Sequence, residues 1–182
     1  MTNRREFLKG TAWMGMLAAT SSVVAKPEKL SVTPGMMSTY AAPPIPNLRV
    51  GVIGVGMRGP GAVHRLSMIP GVTVVAISDL YEKRVQAQVN WLKKRGKPAP
   101  RRYFGNENEW KKLCESDLDL VYIASPWQLH APMGKYAMEC GKHAAIEVPS
   151  AMTLEECYML VETSERTKRH CMQLENCCYG DV

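Results

Sequence analysis

No two cysteines in this chain are spaced as C-x-x-C. Six are present, at positions 114, 140, 157, 171, 177 and 178, and the adjacent pair Cys177 and Cys178 is poorly placed to share one tetrahedral ion, which argues against zinc. Most of the cysteines therefore read as small core residues. No run of lysines and arginines is interleaved with aromatics, so nucleic acid is not an expected partner despite a formal net charge of +6. No apolar run is long enough for a stable membrane span. Internal repeats and low-complexity tracts are missing too. The four histidines, His64, His130, His143 and His170, are scattered, and the twelve methionines read as core filler, so no metal site is expected. What remains is a globular chain of 182 residues, 46% apolar and 22% charged, long enough for one ordinary core.

The N-terminus opens on "NRREFLKG", a paired-arginine signature, followed by the mildly apolar "TAWMGMLAATSSVVA" with small or β-branched residues at Val23 and Ala25. Residues 1–25 read as a twin-arginine signal peptide, which implies the twin-arginine export machinery as a partner and a periplasmic or cell-envelope location. Residues 26–47 hold five prolines and little periodicity, so they read as a linker. The ordered domain is expected over 48–182.

From Leu48 onward apolar strands alternate with amphipathic helices. Strands are expected at 48–54, 72–79, 119–125, 143–148 and 171–176, with helices from about Gly61 to Ile69, over 81–95, up to about Cys140, and after Thr153. The helix over 81–95 places Val85, Val89 and Leu92 on one stripe. Thr153 and Glu156 form a capping box for a helix carrying Leu154, Cys157, Leu160 and Val161 on one side. The strand at 119–125 counts as the fourth. Apolar strands without clean alternation indicate an α/β fold, a doubly wound parallel sheet covered on both faces.

In "GVIGVGMRGPG", Gly54, Gly56 and Gly59 match G-x-G-x-x-G at the first strand-to-helix turn, the fingerprint of a Rossmann-type dinucleotide site. The helix N-terminus behind it favours phosphate. Asp79 ends the second strand, where an acidic side chain takes ribose hydroxyls and turns away a 2′-phosphate, which favours NAD over NADP. An equally local role for Asp79 is N-cap of the next helix, with Glu82 completing a D-x-x-E box; the two roles can coexist. Arg58 is either a solvated loop residue or a cation close to the phosphates. Ligands of open α/β sheets bind beyond the C-terminal strand ends, which singles out "SPWQLH" at 125–130, Glu147 with Val148, and Glu175 with Asn176. Glu147 either accepts hydrogen bonds in that crevice or caps nearby backbone N–H groups. Of the histidines only His130 sits on the crevice edge, in a positioning role.

Taken in order, G-x-G-x-x-G, Asp79 and "SPWQLHAPMGKYAMECGKHAAIEVP" resemble the Gfo/Idh/MocA family of nicotinamide-dependent sugar oxidoreductases. The family pattern T-P-x-x-x-H, A-x-x-x-G-K-H, E-K-P reads here as Ser125, Pro126 and His130, then Ala137, Gly141, Lys142 and His143, then Glu147, Val148 and Pro149. The lysine of E-K-P, proposed in many members to move a proton at the substrate hydroxyl, is Val148, which cannot. E-V-P, the signal peptide and "QLENCCYG" resemble most closely the glycoside hydrolase family 109 branch, the NAD-dependent α-N-acetylgalactosaminidase-like enzymes.

That resemblance implies hydrolysis of a glycoside by transient oxidation at the sugar C3 hydroxyl, elimination, water addition and re-reduction, with NAD recycled. It places Met57, Arg58, Asp79, Trp127, Gln128, Leu129, His130, Glu147, Val148 and Asn176 around the NAD. A homo-oligomer is compatible with it. Family members carry a C-terminal α/β substrate domain, so the chain to Val182 reads as an N-terminal fragment, inactive alone, with the catalytic residues further along. The alternatives are a sugar dehydrogenase of the wider family, or a stand-alone NAD-binding module if the chain truly ends at Val182.

Overall fold

The computed structural model describes Met37 and residues 40–175. The expected signal peptide, most of the expected linker, Asn176 and the pair Cys177 and Cys178 lie outside the described residues. The order of elements is β1 (Leu48–Ile53), α1 (Gly59–Met68), β2 (Val72–Ser78), α2 (Glu82–Lys93), β3 (Arg101–Tyr103), α3 (Glu109–Glu115), β4 (Leu120–Ile123), α4 (His130–Glu139), β5 (His143–Glu147), α5 (Leu154–Thr167) and β6 (Cys171–Leu174). A single 3-10 turn, Trp127–Leu129, leads into α4.

All six strands form one sheet in the order β3-β2-β1-β4-β5-β6, and every pair is parallel. The chain starts in the middle, winds outward through β2 and β3, then returns to β4 on the other side of β1. The reversal leaves a crevice between the C-terminal ends of β1 and β4. Val63 of α1 and Val85 and Leu92 of α2 pack with Val50, Val52, Val74 and Ile77 on one face. Leu113 of α3, Met133 and Met138 of α4, and Leu160 of α5 pack with Ile53, Val121, Ile123 and Ile146 on the other. Two-sided burial explains why the inner strands read as continuous apolar runs.

The two halves are joined at their N-terminal edge by charge. Asp119, just before β4, accepts from the backbone N–H of Arg49 at 2.8 Å, from its Nε at 3.0 Å and from Nη2 at 2.7 Å. The Arg49 guanidinium also pairs with Asp117. Hydrogen bonds from Arg49 hold the Asp119 carboxyl below its ordinary range. At the same edge, His143 Nδ1 accepts from the His170 N–H at 2.9 Å, tying β5 to β6.

Differences from the sequence expectations have local causes. The stretch over 97–118 contains β3 and α3; β3 is an edge strand of three residues whose Arg101 and Arg102 are exposed, so it carries no apolar signal. Helix α1 begins at Gly59, with Pro60 in its first turn where a missing N–H costs nothing. At α5, the Thr153 Oγ1 accepts from Glu156 N at 3.2 Å as expected, but the Glu156 carboxylate reaches back to Met152 N rather than to Thr153. The expected apolar stripe on α5 is not buried as a unit. Leu160 faces the core, whereas Leu154, Cys157 and Val161 are exposed; Cys157 and Val161 line an open cavity with Met37, Ala151 and Gln173. Of the described cysteines Cys114 is buried and Cys157 exposed, so the expectation of core cysteines holds only in part.

Candidate functional site

The first strand-to-helix turn is shaped by what its glycines allow. Gly54 has φ +82°, and a Cβ there would stand 2.5 Å from the Ala124 carbonyl oxygen. A Cβ on Gly59 would stand 1.9 Å from the Gly54 oxygen, so the start of α1 presses directly on the end of β1. Gly56 differs: its Cβ would meet only the Arg84 guanidinium, at 3.5 Å. Two glycines are thus required by the fold, and the third leaves an opening over the backbone. Arg58, the N-cap of α1, makes no side-chain cap, so the first-turn N–H groups are left for a ligand.

Asp79 ties this turn to β2. Its carboxylate accepts from Val55 N at 2.9 Å and from Tyr81 N at 3.0 Å. The second bond is an Asx-type turn, and the N-cap of α2 is Tyr81, so Asp79 closes the loop before α2 without capping the helix, and Glu82 completes no box with it. A carboxylate has lone pairs for about four donors, which leaves capacity for ribose hydroxyls.

These residues form one wall of a cleft of about 910 Å³ at the C-terminal edge of the sheet. Gly54, Gly56, Met57, Arg58 and Asp79 lie on that wall; Ser125, Pro126, Trp127 and Leu129 face them from the loop after β4. Met57 is 95% exposed and Trp127 60%, so both project into open space. A third wall, Asn106 to Asn108 with Trp110 and Lys111, follows β3. Sequence reasoning missed it because β3 was unassigned; the strand-end rule flags this loop once β3 is placed. It also missed Tyr81 and Arg84 on the ribose side. The opening at Gly56, the free helix N-terminus and the buried acid beside them fit a dinucleotide.

The remaining expected residues support the rim from outside the cleft walls. His130 is 1% exposed. Its Nδ1 lies 2.7 Å from the Pro149 carbonyl oxygen and its Nε2 2.8 Å from that of Ser125, so the ring bridges the loops after β4 and β5. This is a positioning role. Gln128 is exposed in the 3-10 turn. Glu147, half-buried at the end of β5, accepts from the Tyr122 hydroxyl at 2.5 Å. Burial and that carboxylate push the Tyr122 hydroxyl up to about 12. Tyr122 carries no sequence signal beyond its place in an apolar strand, yet it sets the orientation of Glu147. Val148 is half-buried and joined to Pro149 by a cis peptide bond. Among the described residues no group of three or more His, Cys, Asp or Glu is placed to hold a metal ion.

Comparison with known proteins agrees with this geometry. A glycosyl hydrolase family 109 protein of Porphyromonas gingivalis is 58% identical over 138 residues, 75% of this chain and 30% of its own. One from Bacteroides fragilis is 50% identical over 175 residues, 91% of this chain and 38% of its own. The chain spans about a third of the length of these curated relatives. Among solved structures, scyllo-inositol dehydrogenase from Lactobacillus casei, with bound NAD(H) and scyllo-inositol, matches with a TM-score of 0.62 at 19% identity, covering 74% of this chain and 38% of that one. Residues 48–174 match the model described as oxidoreductase family, NAD-binding Rossmann fold, and the chain therefore belongs to the Gfo/Idh/MocA family, with the NAD-binding domain as the part described.

Proposed function

We propose that this chain is the cofactor-holding part of an exported glycosidase that cleaves α-N-acetylgalactosaminide-type bonds without net redox change. The observation that carries the reading is Val148. It stands next to a carboxylate fixed by Tyr122, at the strand end where dehydrogenases of the wider family place a proton-moving lysine. The sequence relatives named for glycoside hydrolase family 109 support it.

NAD, when bound, would supply reversible hydride transfer with the sugar C3, taking the hydride so that the C2 proton is acidified and the C1 substituent can leave by elimination, and returning it after water adds, with no net redox change. The residues described hold and orient. The N–H groups opening α1 and the bare backbone at Gly56 would hold the pyrophosphate, and Asp79 would accept from ribose hydroxyls. His130 keeps the loops after β4 and β5 in register, and Val148 fills space without moving a proton. Export by the twin-arginine route rests on Arg4 and Arg5 with the apolar run behind them. That route carries folded proteins, so NAD acquired before export remains with the enzyme.

The test is an assay of the whole gene product on an aryl α-N-acetylgalactosaminide in deuterated water. Aglycone release without accumulation of NADH, with deuterium at C2 of the released sugar, is expected. Stoichiometric NADH with the glycoside intact would make the protein a sugar dehydrogenase. Fractionation of the source cells, with the mature protein beginning near Lys26, tests export.

A further inference from the structure

The ribose end of the cleft differs from the simple picture of a bare acidic residue that repels a 2′-phosphate. Asp79 is surrounded by the Val55 and Tyr81 N–H groups, and the Arg84 Nη1 lies 3.6 Å from its Oδ1. Its side chain is only 6% exposed, whereas that of Arg84 is 50% exposed. A ligand at this rim therefore meets the guanidinium before the carboxylate.

Arg84 is also held in place. Its guanidinium lies over the Tyr81 ring, 4.6 Å from the centroid, an arrangement that fixes the plane while leaving the edge N–H groups free. A separation of 3.6 Å is an ion pair too long for a hydrogen bond, so the contact with Asp79 spends none of the five N–H donors. Nη1 stands beside the opening at Gly56, between the pyrophosphate floor and the ribose rim. Across the whole cleft the cations Arg58, Arg84 and Lys111 outnumber the carboxylates Asp79 and Glu107.

We propose that Arg84 is a specificity-determining residue that lets this cleft accept a 2′-phosphorylated dinucleotide as well as NAD. Asp79 anchors the guanidinium, and the free edge donates to the 2′-phosphate in a charge-assisted contact. The inference rests on the reading of the cleft as a dinucleotide site.

The test is calorimetric titration of the whole gene product, stripped of bound dinucleotide, with NAD and, separately, NADP at fixed ionic strength. The same titrations are run on Arg84→Gln and Arg84→Lys, with circular dichroism to verify folding. The expected result is an NADP Kd within about tenfold of that for NAD. Arg84→Gln should weaken NADP by at least about tenfold and NAD by less than about threefold, with part of the NADP affinity kept in Arg84→Lys, as fits loss of a charged hydrogen bond. NAD binding with NADP more than about tenfold weaker in the unaltered chain overturns the inference and leaves the dinucleotide reading intact. Equal weakening of both cofactors by Arg84→Gln overturns it as well. Binding of neither cofactor overturns the dinucleotide reading together with it.

Discussion

Single residues decide whether the glycine turn exists and, separately, whether it admits a ligand. A methyl group on Gly59 collides with backbone that has nowhere to go, so Gly59→Ala is expected to cost about 1–3 kcal/mol in thermal unfolding and to weaken NAD with it. Gly56→Ala separates the two effects. Its Cβ meets only the Arg84 guanidinium, at an ordinary contact distance of 3.5 Å, so stability should stay within about 0.5 kcal/mol, while NAD titration should show at least tenfold weaker binding as the methyl occupies the approach of the pyrophosphate. Unchanged NAD affinity in Gly56→Ala would refute the placement. The spacing of the three glycines was readable in the sequence. The motif also predicts their roles, the first glycine for the tight turn, the second for close approach of a pyrophosphate and the third for close packing of helix on strand; the atoms that enforce them were not readable, because Ala124 and Arg84 arrive from other parts of the chain.

Elements are fixed in place by a few polar bonds at their ends. Asp119 accepts three bonds from Arg49 across the β1–β4 seam, so Asp119→Ala should lower stability by about 1.5–3 kcal/mol in chemical denaturation. Thr153→Ala removes the one side-chain cap of α5 and should cost about 1 kcal/mol by the same measurement. The alternation of strands and helices was legible because buried parallel strands are apolar throughout. What escaped was short or exposed: β3 with two exposed arginines, α3 with a single turn of core residues, and the solvent-facing stripe of α5. Tyr122 was illegible for another reason. Its hydroxyl matters only because Glu147, 25 positions later, ends the neighbouring strand.

The folded molecule as a whole should lose stability on acidification in two stages. His64 and His143 both titrate below the ordinary 6.5, burial being the leading cause in each. The unfolded chain therefore takes up protons near pH 6.5 that the folded chain refuses, and stability, complete above that pH, falls as the pH drops through the lowered values. Asp119, Glu109 and Glu139 also titrate below their ordinary range, each chiefly through a basic hydrogen-bond partner. The Asp119 bond to Arg49 is the more enclosed of these, so its contribution, present above the ordinary 3.8, declines below it and forms the second stage. Melting temperature followed from pH 8 to pH 3 should show both. His143→Asn keeps an acceptor for the His170 N–H and should flatten the first stage; an unaltered profile would refute its share.

The seam between β1 and β4 also bears on how the chain reaches this state. Every strand pair among the described residues is parallel, so none of these strands forms a hairpin from which the sheet could nucleate. Arg49 and Asp119, which close the seam, stand 70 positions apart. On a ribosome, β1 waits with one edge unpaired until β4 has been synthesised, and only then does the second half have a template. The interval in which that apolar edge lies open is when the nascent chain is most exposed to aggregation.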